Sequence, residues 1–248
     1  MNATATILFV ACGALVVAAL AWWALRHPAF ALGRITVVGD VTHNSVATVR
    51  ANVAPRIAGN FFTADLRAAR EAFLQVPWVR EATVRREFPN RLRVVLQEHR
   101  PVAFWGAEGE TTLVNSFGEV FEANPGDIED EDLPRLAGPQ DQSAQVLAMY
   151  RALAPAFEPL DLEVSQLVLT ARGSWQARLD TGATIEMGRG TQDEVLARVR
   201  RFVDTITQAA SRYGRRAEAV VAADLRHADG YAIRLRGVST VSADAQKK

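Results

Sequence analysis

The sequence predicts an α+β protein: a single N-terminal transmembrane helix, then a β-α-α-β-β domain and a mixed β-sheet domain with flanking helices. Three observations lead there. Met1 to Leu25 carries no charged side chain. Between Arg34 and Arg100 a strand pattern, two helical patterns and an alternating hairpin follow one another. From Phe104 onward, short strand-like runs are interrupted by two amphipathic helical stretches.

Residues 1–6 are a short tail, 7–25 the transmembrane helix and 26–33 a linker. About 20 apolar residues span a hydrocarbon core of roughly 30 Å. Ile7, Leu15, Leu20 and Leu25 supply apolar anchor side chains, with Trp22 and Trp23 at the level of an interfacial aromatic belt. A cleaved signal peptide is the rival reading, since Ala29-Phe30-Ala31 has the small-x-small form. The basic n-region is missing, however, and the apolar run exceeds the roughly 7–15 residues of a signal h-region. A lipoprotein signal at Cys12 has too little apolar sequence before it. Arg26 and Arg34 follow the helix and no basic residue precedes it, so the positive-inside rule alone would put the body in the cytoplasm, by two arginines.

The 248 residues leave room for one or two domains beyond the anchor. Lys+Arg 28 balances Asp+Glu 28, which gives no electrostatic footprint for nucleic acid. The single cysteine, Cys12, sits in the anchor, so the body has no internal disulfide, cysteine metal site or thiol nucleophile.

In the first domain, 34–101, Arg34 to Gly39 reads as a strand ending in a turn glycine. Asn44 or Ser45 caps a helix whose apolar face is Val46, Val49 and Val53, ended by Pro55. A second helix starts near Thr63, with Asp65 in its first turn and a stripe of Leu66, Ala69, Phe73 and Leu74; Pro77 stops it. Ala82, Val84 and Phe88 share one face of a strand, Pro89-Asn90 turns, and Leu92, Val94 and Leu96 alternate on the return.

These residues carry a resemblance. Ile35 to Gly39 and Asn60 to Leu66 are similar to the opening strand and second-helix turn of a POTRA domain. Val76 to Leu92 with Glu98 to Ala103 resembles the FtsQ/DivIB family of bacterial cell-division proteins.

The second domain, 102–238, reads as strands at Phe104-Trp105 and Thr111 to Val114, then a hairpin turn at Asn115 to Phe121. The family often has aspartate where Asn115 stands. An acidic cluster spans Asp127 to Asp132. A helix follows at Ala144 to Ala154, then strands at Leu167 to Leu169, Trp175 to Leu179 and Ala183 to Met187. A second helix buries Val195, Val199, Phe202, Val203 and Ile206, and strands at Ala219 to Leu225 and Tyr231 to Leu235 close the domain. Residues 239–248 read as a disordered polar tail. Ser174-Trp175-Gln176, Gly188-Arg189-Gly190 and Ala223 to Ala232 are similar to the family's β domain, so the resemblance reaches from the anchor to about Arg236.

Catalytic readings find little support. His27, His43, His99 and His227 have no metal-ligand spacing, and the acidic cluster lacks the EF-hand pattern. Gly188-Arg189-Gly190 has no Walker lysine, and Ser174 has no nucleophile-elbow context. The expectation is a protein that is not an enzyme, without cofactor, metal or small-molecule substrate.

Binding by a sheet edge is the alternative to catalysis. An exposed edge strand offers unpaired N–H and C=O groups to a partner segment. Tyr231 to Arg236 is the candidate edge, with Gly230 before it and Arg226, His227 and Asp229 at its start; polar turn residues describe the same positions equally well. The resemblance implies that this hairpin receives a strand from FtsB, which travels with FtsL. Matching positions are Arg226, His227, Asp229, Gly230 and Tyr231, leading into Ala232 and Ile233, with Arg189 beside them. His227 stands where tyrosine is common and Asp229 where a small hydroxyl residue is common. Arg80, Arg85, Arg86, Arg91, Arg93 and Arg100 make the first domain locally basic, either as a solvated sheet face or as a surface for anionic headgroups or other division proteins.

The resemblance implies an essential bitopic division-site scaffold that helps link early cytoskeletal components to septal peptidoglycan synthesis. It further implies a single-pass inner-membrane protein at the septum with its body in the periplasm. An upstream start codon, with Met1 internal, would reconcile that with the arginine count. A chaperone-like POTRA protein of secretion or outer-membrane assembly and an anchored cell-wall hydrolase remain as alternatives.

Overall fold

The computed structural model describes residues 3–27, 30–40, 42–43, 53, 55, 57, 59–124, 126, 128 and 133–239. The chain divides into two compact units between His99 and Arg100.

In the first unit, α1 (Ala3–Arg26) is about 36 Å long at 1.5 Å per residue. Its Ala3–Trp23 segment has a mean hydropathy of 2.4 and none of it is buried. Ile7, Leu15, Leu20, Trp22 and Trp23 are each between 59% and 70% exposed, apolar surface that needs lipid around it. The helix starts four residues before Ile7 because nothing in Ala3 to Thr6 breaks it; the Leu25 side chain lies outside the described residues.

The sheet of this unit contains β1 (Arg34–Gly39), β2 (Val79–Glu87) and β3 (Arg91–Glu98) in the order β1-β3-β2. β1 runs parallel to β3, and β2 antiparallel to it. Period-two alternation puts Leu92, Val94 and Leu96 at 2% exposure or less. Phe88 departs from expectation: β2 ends at Glu87, so Phe88 sits in the turn, 75% exposed, and not beside Ala82 and Val84. α2 (Leu66–Leu74) starts one turn later than Thr63 because Asp65 is its N-cap. The Asp65 carboxylate accepts from the amides of Ala68 and Arg67, which lower its pKa. Ala69, Ala72 and Phe73 are its buried face, and Leu66 and Leu74 are half-buried. The first helix expected over Asn44 to Pro55 lies outside the described residues, except that Val53 is buried with Val37 and Phe73.

The second unit is a nine-stranded mixed sheet with two helices. Its strands are β4 (Pro101–Trp105), β5 (Thr112–Asn115), β6 (Val120–Glu122), β7 (Arg135–Ala137), β8 (Val164–Leu169), β9 (Trp175–Leu179), β10 (Thr184–Gly188), β11 (Val220–Asp224) and β12 (Ala232–Leu235). Their order is β12-β11-β10-β9-β8-β7-β4-β5-β6. Parallel neighbours need long crossovers. Accordingly α3 (Ser143–Phe157) joins parallel β7 and β8, and α4 (Gln192–Ser211) joins parallel β10 and β11. Leu167, Trp175, Ile185, Val199 and Phe202 belong to the core. The alternate residues Gln166, Gln176, Arg178 and Thr184 line the other face together. The acidic cluster (Asp127, Glu129 to Asp132) and residues 240–248 lie outside the described residues.

Thr191 and Glu194 form a reciprocal capping box at the start of α4, which fixes the helix against the end of β10. Asn115 is fully buried and organises the turn between β5 and β6. Its Oδ1 accepts from the amides of Phe117 and Glu119, while its Nδ2 donates to Glu119 Oε2 at 2.7 Å. An aspartate here would have no donor for Glu119. Asn115→Asp therefore sets two carboxylates against each other, and one of them must gain a proton to relieve the repulsion. The expected outcome is a lower urea midpoint at pH 7, with much of the loss recovered near pH 4.

Candidate partner-binding edge

β12 pairs antiparallel with β11 and has no strand on its other side among the described residues. The direction of its amides follows from two hydrogen bonds. Arg236 N–H donates to the Ala219 carbonyl at 2.8 Å, so Arg236 faces β11. Strict alternation along the strand then points Arg234 and Ala232 inward and leaves the main-chain groups of Ile233 and Leu235 on the open side. The register agrees. Leu225 N–H donates to Glu186 of β10 at 2.8 Å, so Asp224 and Ala222 face β12, opposite Ala232 and Arg234. The bulge between Val220 and Ala222 lies on β11 and leaves the alternation of β12 intact.

Helix α4 holds the connection into β12. Tyr231 Oη lies 2.7 Å from Thr205 Oγ1, and its ring meets Phe202 edge-on at 5.1 Å. Arg201 Nη1 donates to the Ala228 carbonyl at 2.9 Å. At the end of β11, Arg226 grips Asp224 in a bidentate pair, Nε to Oδ1 at 2.8 Å and Nη2 to Oδ2 at 2.6 Å, while its own amide donates to Oδ1. That side-chain hydrogen bond, foremost, holds the Asp224 carboxyl at about 2, down from 3.8, and raises Arg226 in turn. Gly188 allows the close approach of Arg226: its φ is +78°, and a Cβ there would lie 2.9 Å from Arg226 Cγ.

At the ends of β8 and β10, where Arg226 leaves β11, opens a cleft of about 730 Å³, lined among others by Arg172, Arg189, Arg198, Arg226, Glu186 and Ser174. Arg198 is partly committed, donating from Nε to the Met187 carbonyl at 2.8 Å and from Nη2 to the Arg189 carbonyl at 2.6 Å. The structure thus brings Arg189 and Arg226 together. It adds Arg172 and Arg198, which sequence reasoning did not select. They belong to the β8–β9 turn and to α4, and only the sheet places those beside β10 and β11. His227 and Asp229 are exposed, as is Ala232, whereas Gly230, Tyr231 and Ile233 are half-buried. A Cβ on Gly230 would meet no atom within 4 Å, so nothing in this chain itself requires glycine there. Among the described residues no group of three His, Cys, Asp or Glu side chains is placed to hold a metal ion.

Because the folded pKa of Asp224 lies below its unfolded value, the clamp contributes stability above about pH 4, lost as pH falls through about 2. Arg226→Met is expected to return the Asp224 carboxyl towards 3.8 in a carboxyl NMR titration and to raise hydrogen exchange at the amides of Ala232 and Arg234.

Comparison with known proteins shows the family. Residues 103–226 match the model for cell division protein FtsQ/DivIB, C-terminal, and residues 30–99 match the POTRA domain, FtsQ-type. A cell division protein FtsQ of Burkholderia pseudomallei is 39% identical over 239 residues, covering 96% of this chain and 93% of that protein. One of Bordetella pertussis is 39% identical over 247 residues, covering 93% and 88%. One of Xanthomonas campestris is 35% identical over 243 residues, covering 95% and 82%. With one helix apolar enough to cross a membrane among the described residues, an FtsQ-type POTRA domain and the C-terminal domain behind it, the chain belongs to the FtsQ/DivIB family of cell-division proteins, whose role is scaffolding and not catalysis.

Proposed function

We propose that this chain is a single-pass inner-membrane scaffold of the division septum, its body in the periplasm, which binds FtsB by strand addition to β12 and holds FtsL with it. It thereby helps link early cytoskeletal components to septal peptidoglycan synthesis. The open side of β12 carries the reading: the main-chain groups of Ile233 and Leu235 face away from β11 at the last strand of the sheet. Arg226, His227, Asp229, Gly230, Tyr231 and Ala232 frame that edge, and the arginine-lined cleft with Arg189 beside it suits an acidic part of the same partner. Other division proteins dock through the POTRA domain or the membrane segment.

The test uses the full chain in nanodiscs and the periplasmic segment of FtsB from the same cell. Ile233→Pro removes an outward amide and is expected to abolish binding while the β11–β12 pairing keeps its hydrogen-exchange protection. Ala232→Pro removes an inward amide and is expected to lose that protection as well. Binding that survives Ile233→Pro rejects strand addition here, and no binding by the unmodified chain rejects the partner.

A further inference from the structure

Aromatic contacts, joined by one backbone hydrogen bond, lead from the end of the membrane helix to two exposed rings of the POTRA unit. Trp23 meets the His27 ring at 5.0 Å. The His27 carbonyl accepts from the Phe30 amide at 3.0 Å, which draws Phe30 back to the helix end. Phe30 meets Phe62 at 4.9 Å, Phe62 meets Phe61 at 5.2 Å, and Phe61 meets Phe88 at 6.1 Å. Phe61 is buried, but Phe62 is 47% and Phe88 75% exposed.

The loop that carries Phe61 and Phe62 is held in place. Arg86 donates to the carbonyls of Phe61, Phe62 and Ala64 at 2.6, 3.3 and 2.7 Å, and the Phe61 amide donates to the Phe30 carbonyl at 2.8 Å. The same end of the sheet carries Arg34 directly opposite Arg91, both exposed. Glu87, opposite Arg91 on β2, offsets part of that like-charge repulsion, and the positive charge that remains favours a nearby anionic surface.

We propose that Phe62 and Phe88, with Arg34 and Arg91, seat the POTRA domain on the adjoining bilayer surface, the rings lying among anionic lipid headgroups. The occupant follows from the tether. Phe30 is four residues past Arg26, a reach of about 14 Å at most, and its hydrogen bond to His27 shortens it. Trp22 and Trp23 fix the interfacial level at that end of α1. Phe62, in contact with Phe30, is therefore within reach of the headgroup layer, where aromatic side chains are favoured, and Phe88 is linked to it through Phe61. Of the arginines in this unit, Arg80 pairs with Glu81 at 3.1 Å, Arg93 approaches Glu87 at 4.0 Å and Arg86 serves the loop carbonyls. The lipid contact is placed at the Phe88–Arg91 end because the exposed rings of Phe62 and Phe88 lie there. The proposal rests on α1 remaining in the bilayer.

The experiment uses the full chain in phosphatidylethanolamine–phosphatidylglycerol vesicles with a nitroxide on one cysteine at a time. Native Cys12 is labelled in the unmodified chain, and Phe62→Cys, Phe88→Cys and Gln97→Cys are labelled in a Cys12→Ala background. Gln97, exposed near the far end of β3, is the water-facing control. Positions 62 and 88 are expected to show several-fold more oxygen relative to aqueous nickel accessibility than position 97. Accessibility at either site equal to that at 97 overturns the proposal and leaves the patch to a protein partner. An aqueous signal at Cys12 overturns the retained anchor, and the proposal with it.

Discussion

Every backbone group in the second unit has to be satisfied, and a sheet that does not close satisfies its strands on two sides everywhere except at its ends. β12 is one of those ends. It is four residues long, which limits the unpaired template it offers to stray strands, and it is not left to flex. Tyr231 is held by Thr205 and Phe202, the Ala228 carbonyl by Arg201, and the last residue of β11 by Arg226. All but the last come from α4, so the geometry of the edge depends on the packing of one helix. The capping box at Thr191 and the core residues Val199, Phe202 and Ile206 set that helix.

The sequence showed the elements well where one face is buried. Leu92, Val94 and Leu96 alternate in the chain and are buried in the structure, and the stripe of Val195, Val199, Phe202 and Ile206 is the buried face of α4. Patterns fail where a strand stops. Phe88 continues the alternation of Ala82 and Val84 in sequence, yet the turn begins before it and turns its ring outward. Nothing local distinguishes an aromatic residue that extends a buried face from one exposed just past its end.

The candidate edge reads in the sequence as a stretch and not as a cluster. Arg226 to Ile233 is contiguous, so turn chemistry and the family resemblance both point to it. Arg172 and Arg198 come from a turn and a helix that no local pattern ties to that stretch. They share a cleft with Arg226 because β10 lies between β9 and β11, with β11 parallel to it. Asp224 likewise reads as the end of a strand, and its role as the acceptor for Arg226 emerges only from the bidentate geometry.

The magnitudes argue that the edge and the cleft work together. The open side of β12 presents the N–H and C=O groups of two residues, and a net main-chain hydrogen bond is worth about 1 kcal/mol. About 4 kcal/mol of pairing is at or below the low end of the roughly 4–15 kcal/mol lost in association. Strand addition alone therefore sets register and direction without holding a partner. The remainder has to come from side chains, where charge-assisted contacts are about twice as strong as neutral ones. Arg189 and Arg172 in the cleft can supply them, whereas Arg226 first satisfies Asp224. A partner that both extends the sheet and carries an acidic group spaced to reach that cleft meets both conditions, and a generic strand meets only the first. If the edge binds as proposed, specificity lies in the spacing between the edge and the cleft, which α4 and the β10–β11 pairing hold fixed.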